Sequence, residues 1–148
     1  MKVDIQNLTT LDVDEKFVRK VIKAALRSQA IQGIISVGVA FVGRGCMQKL
    51  SKKYNRKNKV TDVLSFASSE NFIVPDKEGR YLGEIVVCNQ VVKKQAARAG
   101  LAAEKELAHV LIHGTLHLLG HEHESSAKKA KEMHGKEEEI MKELGIMN

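Results

Sequence analysis

The 148-residue chain has no Trp, one Pro, two Cys and only 4% aromatic residues. The scarcity of aromatics argues against nucleic-acid binding through extended stacking platforms and leaves phosphate contacts untouched. Cys46 and Cys88 form no Cys-x-x-Cys pair, which fits two ordinary buried thiols in a reducing compartment. No stretch approaches the roughly 18 uninterrupted apolar residues of a membrane span, and the N-terminus has no apolar signal region. A cytoplasmic protein with no membrane association is therefore expected.

Acid is the other local absence. Residues 16 to 61 hold twelve Lys or Arg and not one Asp or Glu, against a net charge of only +6 for the whole chain. Such a one-sided block creates a positive field suited to a polyanion such as RNA. A solvated helix face is the simpler account of its first half. With 43% hydrophobic and 28% charged residues the composition is globular, and the length suits one domain over 1–148.

Periodicity gives the elements. A short edge strand is expected at 3–8 and a helix over about 14–30, with Phe17, Val18, Val21, Ile22 and Ala25 on one face. The β-branched run 34–42 reads as a buried strand, 47–54 as a helix, 63–66 and 80–88 as strands, and 90–99 as a helix ended by Gly100. A helix over 104–119, capped at Gly120, and a last amphipathic helix over 125–144 complete an α/β (α+β) pattern. About four strands would form a small mixed sheet packed with helices.

Five of the six His lie between 109 and 123. Residues four apart share a helical face, so His113 and His117 can converge on one ion. Gly120 lets the chain fold back to bring His123 as a third nitrogen. Three imidazoles and an open position make a catalytic zinc site, although nickel, copper or iron accept similar donors. His121 competes with His123 for the third place. His109 would make a collinear triple that encircles an ion poorly, and His134 reads as a surface residue.

The spacing His113-x-x-x-His117-x-x-Gly120-x-x-His123 matches that of metzincin proteases, which place a general-base Glu directly after the first His. Here that position is Gly114. The same segment, His113-Gly-Thr-Leu-His117-Leu-Leu-Gly-His121-Glu122-His123, resembles the signature of the YbeY family of bacterial zinc endoribonucleases. Thr61-Asp-Val-Leu-Ser-Phe66 and Leu82-Gly-Glu-Ile-Val-Val-Cys88 resemble that family's central strands, so the likeness covers most of the chain.

The resemblance implies an α/β fold with a metzincin-like three-histidine zinc site of His113, His117 and His123, holding one Zn2+ per chain. It also implies a single-strand-specific endoribonuclease of ribosomal RNA maturation and ribosome quality control, with ribosomal RNA and the small ribosomal subunit as partners. The family has Tyr-Arg-Gly where this chain has Tyr54-Asn55-Arg56. Asn55 therefore stands at the aligned position of the Arg implicated in catalysis, and Arg56 is the nearest candidate for that role. Lys57, Thr61, Asp62 and Ser65 are the expected substrate-binding residues. The alternatives are a ribosome-associated assembly factor with a structural or weakly active zinc site, and a metallopeptidase.

Overall fold

The computed structural model describes residues 1–31, 33–56, 58–68, 73–74, 79–120 and 126–146. Strand β1 (Lys2–Asn7) leads into helix α1 (Glu15–Ser28), strand β2 (Ile35–Phe41) and helix α2 (Arg44–Asn55). Strands β3 (Val63–Ala67), β4 (Ile73–Val74) and β5 (Gly79–Val87) follow, then helices α3 (Asn89–Ala99), α4 (Ala103–Leu118) and α5 (Ala127–Glu143).

The sheet runs β1-β2-β5-β3, with β1–β2 and β2–β5 parallel and β3–β5 antiparallel. It is the small mixed sheet expected from the sequence, with one addition. The two-residue β4 pairs with β5 at Gly79 and Arg80. Arg80 also pairs with Ile35 of β2, so β4 continues the edge that β3 occupies. A strand of two residues beside Pro75 carries no readable alternation, which is why the sequence pattern misses it.

Helices α1 and α5 begin where side chains satisfy their open N–H groups. Asp14 Oδ1 accepts from Phe17 N at 3.1 Å at the start of α1, and Ser126 Oγ accepts from Lys129 N at 3.0 Å at the start of α5. Each such cap contributes about 1 kcal/mol. In α1 the face carrying Val18, Val21, Ile22 and Ala25 is buried as expected.

The two faces of the sheet bury unequal cores. Ile85 and Val87 of β5 join α1, α4 and α5 in the large cluster, while Val86 and Cys88 join Val42, Met47 and Leu64 in a small one beneath α2. This alternation is the period-two consequence of a strand buried on both sides. Cys88 is buried, but Cys46 is exposed, which corrects the expectation of two buried thiols. It precedes Met47, the residue α2 turns inward, and so faces solvent.

Helix α4 is the centre of the arrangement, packing on α1, α3, α5, β3 and β5. From Leu107 to Leu118 every residue is buried except His109, His113 and His117. A helix apolar nearly all round must sit inside a protein, so this stripe of three imidazoles, spaced four residues apart, opens its shell between Leu107 and Leu118.

Candidate functional site

The stripe faces a cleft of about 770 Å³ that runs over the edge of the sheet at β3. Val63 and Ser65 of β3 point towards α4, and Leu64 and Phe66 point towards α2. The cleft takes Ser51 and Asn55 from α2 on one side, and His109, His113 and His117 from α4 on the other.

Two of the three expected metal ligands converge. His113 Nε2 and His117 Nε2 stand 3.0 Å apart. Nitrogens bound to one tetrahedral zinc at about 2.0–2.1 Å are separated by roughly 3.3 Å, so the pair is close to a ligating geometry. Among the described residues no set of three His, Cys, Asp or Glu is placed to hold a metal ion. His123 and His121, the two candidates for the third donor, lie outside the described residues.

A residue that the sequence reading passed over supports this pair. Glu137 of α5, 5% exposed, lies beside α4 with one oxygen 3.1 Å from His113 Nδ1 and the other 2.6 Å from His109 Nε2. With Nδ1–H of His113 donating to Glu137, Nε2 is left with its lone pair facing His117, the tautomer a metal ligand needs. Burial alone would raise the carboxyl of Glu137, but the hydrogen bonds from His109 and His113 outweigh it and hold it at about 2. Reciprocally, the bond to Glu137 raises His109 against the opposing effect of burial. His109 is thus engaged by α5. A signal for Glu137 existed: it sits four residues from Met133 and from Met141, both buried, on the apolar row of an amphipathic helix.

Gly114 explains why α4 can approach so near. A Cβ there would lie 2.9 Å from Ile85 Cγ2 and 3.2 Å from Ser65 Oγ. The Ser65 hydroxyl donates to Gly114 O at 3.0 Å, tying β3 to the helix. A carboxylate at this position, as metzincin proteases carry, would meet the sheet rather than the cleft.

The other expected site residues fall in two groups. Thr61, Asp62 and Ser65 line the cleft beside the imidazoles. Asp62 Oδ1 also accepts from Val63 N at 2.8 Å and from Thr61 Oγ1 at 3.3 Å, so it shapes the entry to β3. Asn55 and Lys59 line the cleft, and the lining does not include Arg56. Arg56 is the exposed C-cap of α2, turned left-handed with φ 57°. Lys57 lies outside the described residues. His134 is on the surface, paired with Glu138 at 3.0 Å.

An α+β frame with a backed pair of imidazoles in an open cleft suits metal-assisted hydrolysis. The family model "Endoribonuclease YbeY" matches residues 3–145, and the chain belongs to the YbeY family. Relatives named Endoribonuclease YbeY include one from Roseiflexus sp. (strain RS-1), 36% identical over 137 residues, covering 90% of this chain and 86% of that one. Another, from Staphylococcus carnosus (strain TM300), is 39% identical over 126 residues, covering 82% of this chain and 80% of that one. A solution structure of a Thermotoga maritima protein superposes with a TM-score of 0.63 at 28% identity, covering 96% of this chain and 88% of that one. No helix among the described residues is long and apolar enough to cross a membrane.

Proposed function

We propose that the chain is a zinc-dependent, single-strand-specific endoribonuclease that acts in the cytoplasm in ribosomal RNA maturation and ribosome quality control, with ribosomal RNA and the small ribosomal subunit as its partners. The observation that carries this reading is the convergence of His113 and His117, backed by Glu137, in a cleft next to the basic helix α2. His123 would complete the ligand set from the segment after Gly120.

His113, His117 and His123 would hold the zinc ion, which would supply a Lewis acid for hydrolysis at neutral pH. The chain's own residues do the rest. Glu137 holds His113 in its ligating tautomer, and Lys59, with Arg56 and Lys57 close in sequence, offsets charge on the scissile phosphate. Thr61, Asp62 and Ser65 fix the strand along the cleft.

One observation favours a second reading. Asn55 occupies the cleft where the family pattern has Arg, so the cleft has one cation fewer, as in an assembly factor that binds RNA and cuts it weakly. The peptidase alternative is disfavoured by Gly114, whose packing leaves no room for a general base.

Cleavage of a single-stranded ribosomal RNA fragment by the zinc-loaded protein tests the proposal, beside His117→Ala and Asn55→Arg. Cutting by the parent, loss in His117→Ala and faster cutting in Asn55→Arg are expected. RNA binding without cutting by the parent would instead make it an assembly factor.

A further inference from the structure

The chain has four Phe, two Tyr and no Trp. Two of these few aromatics touch each other beside the cleft: Phe66 lines it, and Tyr54, outside the lining, packs on Phe66. Tyr54, in the last turn of α2, is 54% exposed and packs on Phe66 of β3, with ring centroids 5.0 Å apart and planes at 73°. Phe66 lines the same cleft as His113 and His117, and Asn55, the neighbour of Tyr54, lines it too. Lys53 Nζ lies 5.2 Å from the centre of the Tyr54 ring.

A lone exposed tyrosine needs no explanation. This one differs by its place. The cleft crosses the edge of the sheet, with the imidazoles on the α4 side and, on the side of α2, Phe66 in the lining with Tyr54 exposed at the rim beside it. A polynucleotide laid along β3 would present its phosphates and its bases to different walls, and unpaired bases stack on aromatic side chains whatever their sequence. Lys52, Lys53 and Lys59 add positive charge around the aromatic wall, with no acidic residue anywhere in α2.

We propose that Tyr54 and Phe66 form a stacking site for one unpaired base of a single RNA strand whose backbone runs along β3 past His113 and His117. The assignment rests on RNA being the substrate, and it places the discrimination of single strand from duplex on the α2 wall, because a paired base cannot leave its stack to reach Tyr54.

The missing Trp makes the test direct. In the full-length Tyr81→Phe protein, Tyr54 is the sole tyrosine and its emission is the only intrinsic signal. It is titrated with a 2′-O-methyl octanucleotide whose integrity is checked on a gel, with the same octamer bearing abasic positions, and with a blunt duplex. Saturable quenching by the octamer alone is expected. Tyr54→Leu, which keeps an apolar cover on Phe66, should weaken binding of the octamer about tenfold. Its slope of log Kd against log salt should be unchanged, since no phosphate contact is lost. Tyr54→Phe should bind like the parent, which separates stacking from loss of fold. Undiminished binding by Tyr54→Leu, or equal quenching by the abasic octamer or the duplex, would overturn the stacking site while leaving RNA as substrate. Absence of any binding by the parent at low salt would overturn both.

Discussion

Replacing Glu137 by Gln removes one charge and little volume, from a side chain that is 7% exposed and touches both His109 and His113. The carboxyl stands at about 2 instead of 4.5, a preference for the ionised form of roughly 3 kcal/mol. Gln keeps one carbonyl oxygen for one imidazole and turns an NH2 towards the other. The metal-stripped Glu137→Gln protein should therefore lose about 2–3 kcal/mol at pH 6, or roughly 5–10 °C in Tm. The sign with pH follows from the two shifts. A carboxyl lowered on folding stabilises fully above its unfolded value and loses that contribution as pH falls towards 2. The raised His109 contributes below its unfolded value, about 6.5, and the contribution fades as pH rises through its folded one. The gap between parent and variant should thus be widest from about pH 4.5 to 6.5 and narrow steadily below that, closing towards about pH 2. Differential scanning calorimetry across pH reads it, and chelator competition should show metal affinity reduced by about 10- to 100-fold. Equal Tm at pH 6, or a gap that persists undiminished at acid pH, would refute the assignment.

Two further outcomes test other parts of the fold. Gly114→Ala forces a methyl to 2.9 Å from Ile85 Cγ2 and should cost about 1–3 kcal/mol in urea unfolding; a variant as stable as the parent would show that α4 does not press on the sheet there. Tyr81 is pushed up to about 12, first by burial, then by Glu84 and Asp4, so its stabilising contribution is intact below about pH 10 and lost between about 10 and 12. Absorbance at about 295 nm should show a step near pH 12 that Tyr81→Phe abolishes, and its survival in that variant would refute the assignment.

The elements were readable where burial imposes a period. The apolar faces of α1 and α5, the β-branched β2 and the Gly100 and Gly120 stops all lie where the pattern places them. Helix α2 begins at Arg44, three residues earlier than its pattern suggests, because its first turn faces solvent and leaves no apolar mark. The pairing of His113 with His117 was legible because helix geometry alone sets it. For Glu137 only its place on the apolar row of α5 was legible; its contact with the imidazoles was not, because that depends on the packing of α5 on α4. Nor could the sequence separate Asn55 from Arg56. That depends on the helix ending at Asn55 and the next residue turning left-handed, which points the two side chains differently.

The unequal cores have a consequence for how the cleft works. Of the twelve residues of α2 only Met47 and Ser51 are buried, and the Ser51 hydroxyl has no hydrogen-bond partner among the described residues, whereas α4 is buried from Leu107 to Leu118 except at its three imidazoles. Local opening follows the least anchored element. The two sides of the cleft therefore differ in compliance: α2 can yield to admit and release a strand, while the imidazoles keep their spacing until the protein unfolds as a whole. Substitutions in α2 can retune which strands are held without disturbing the centre that acts on them.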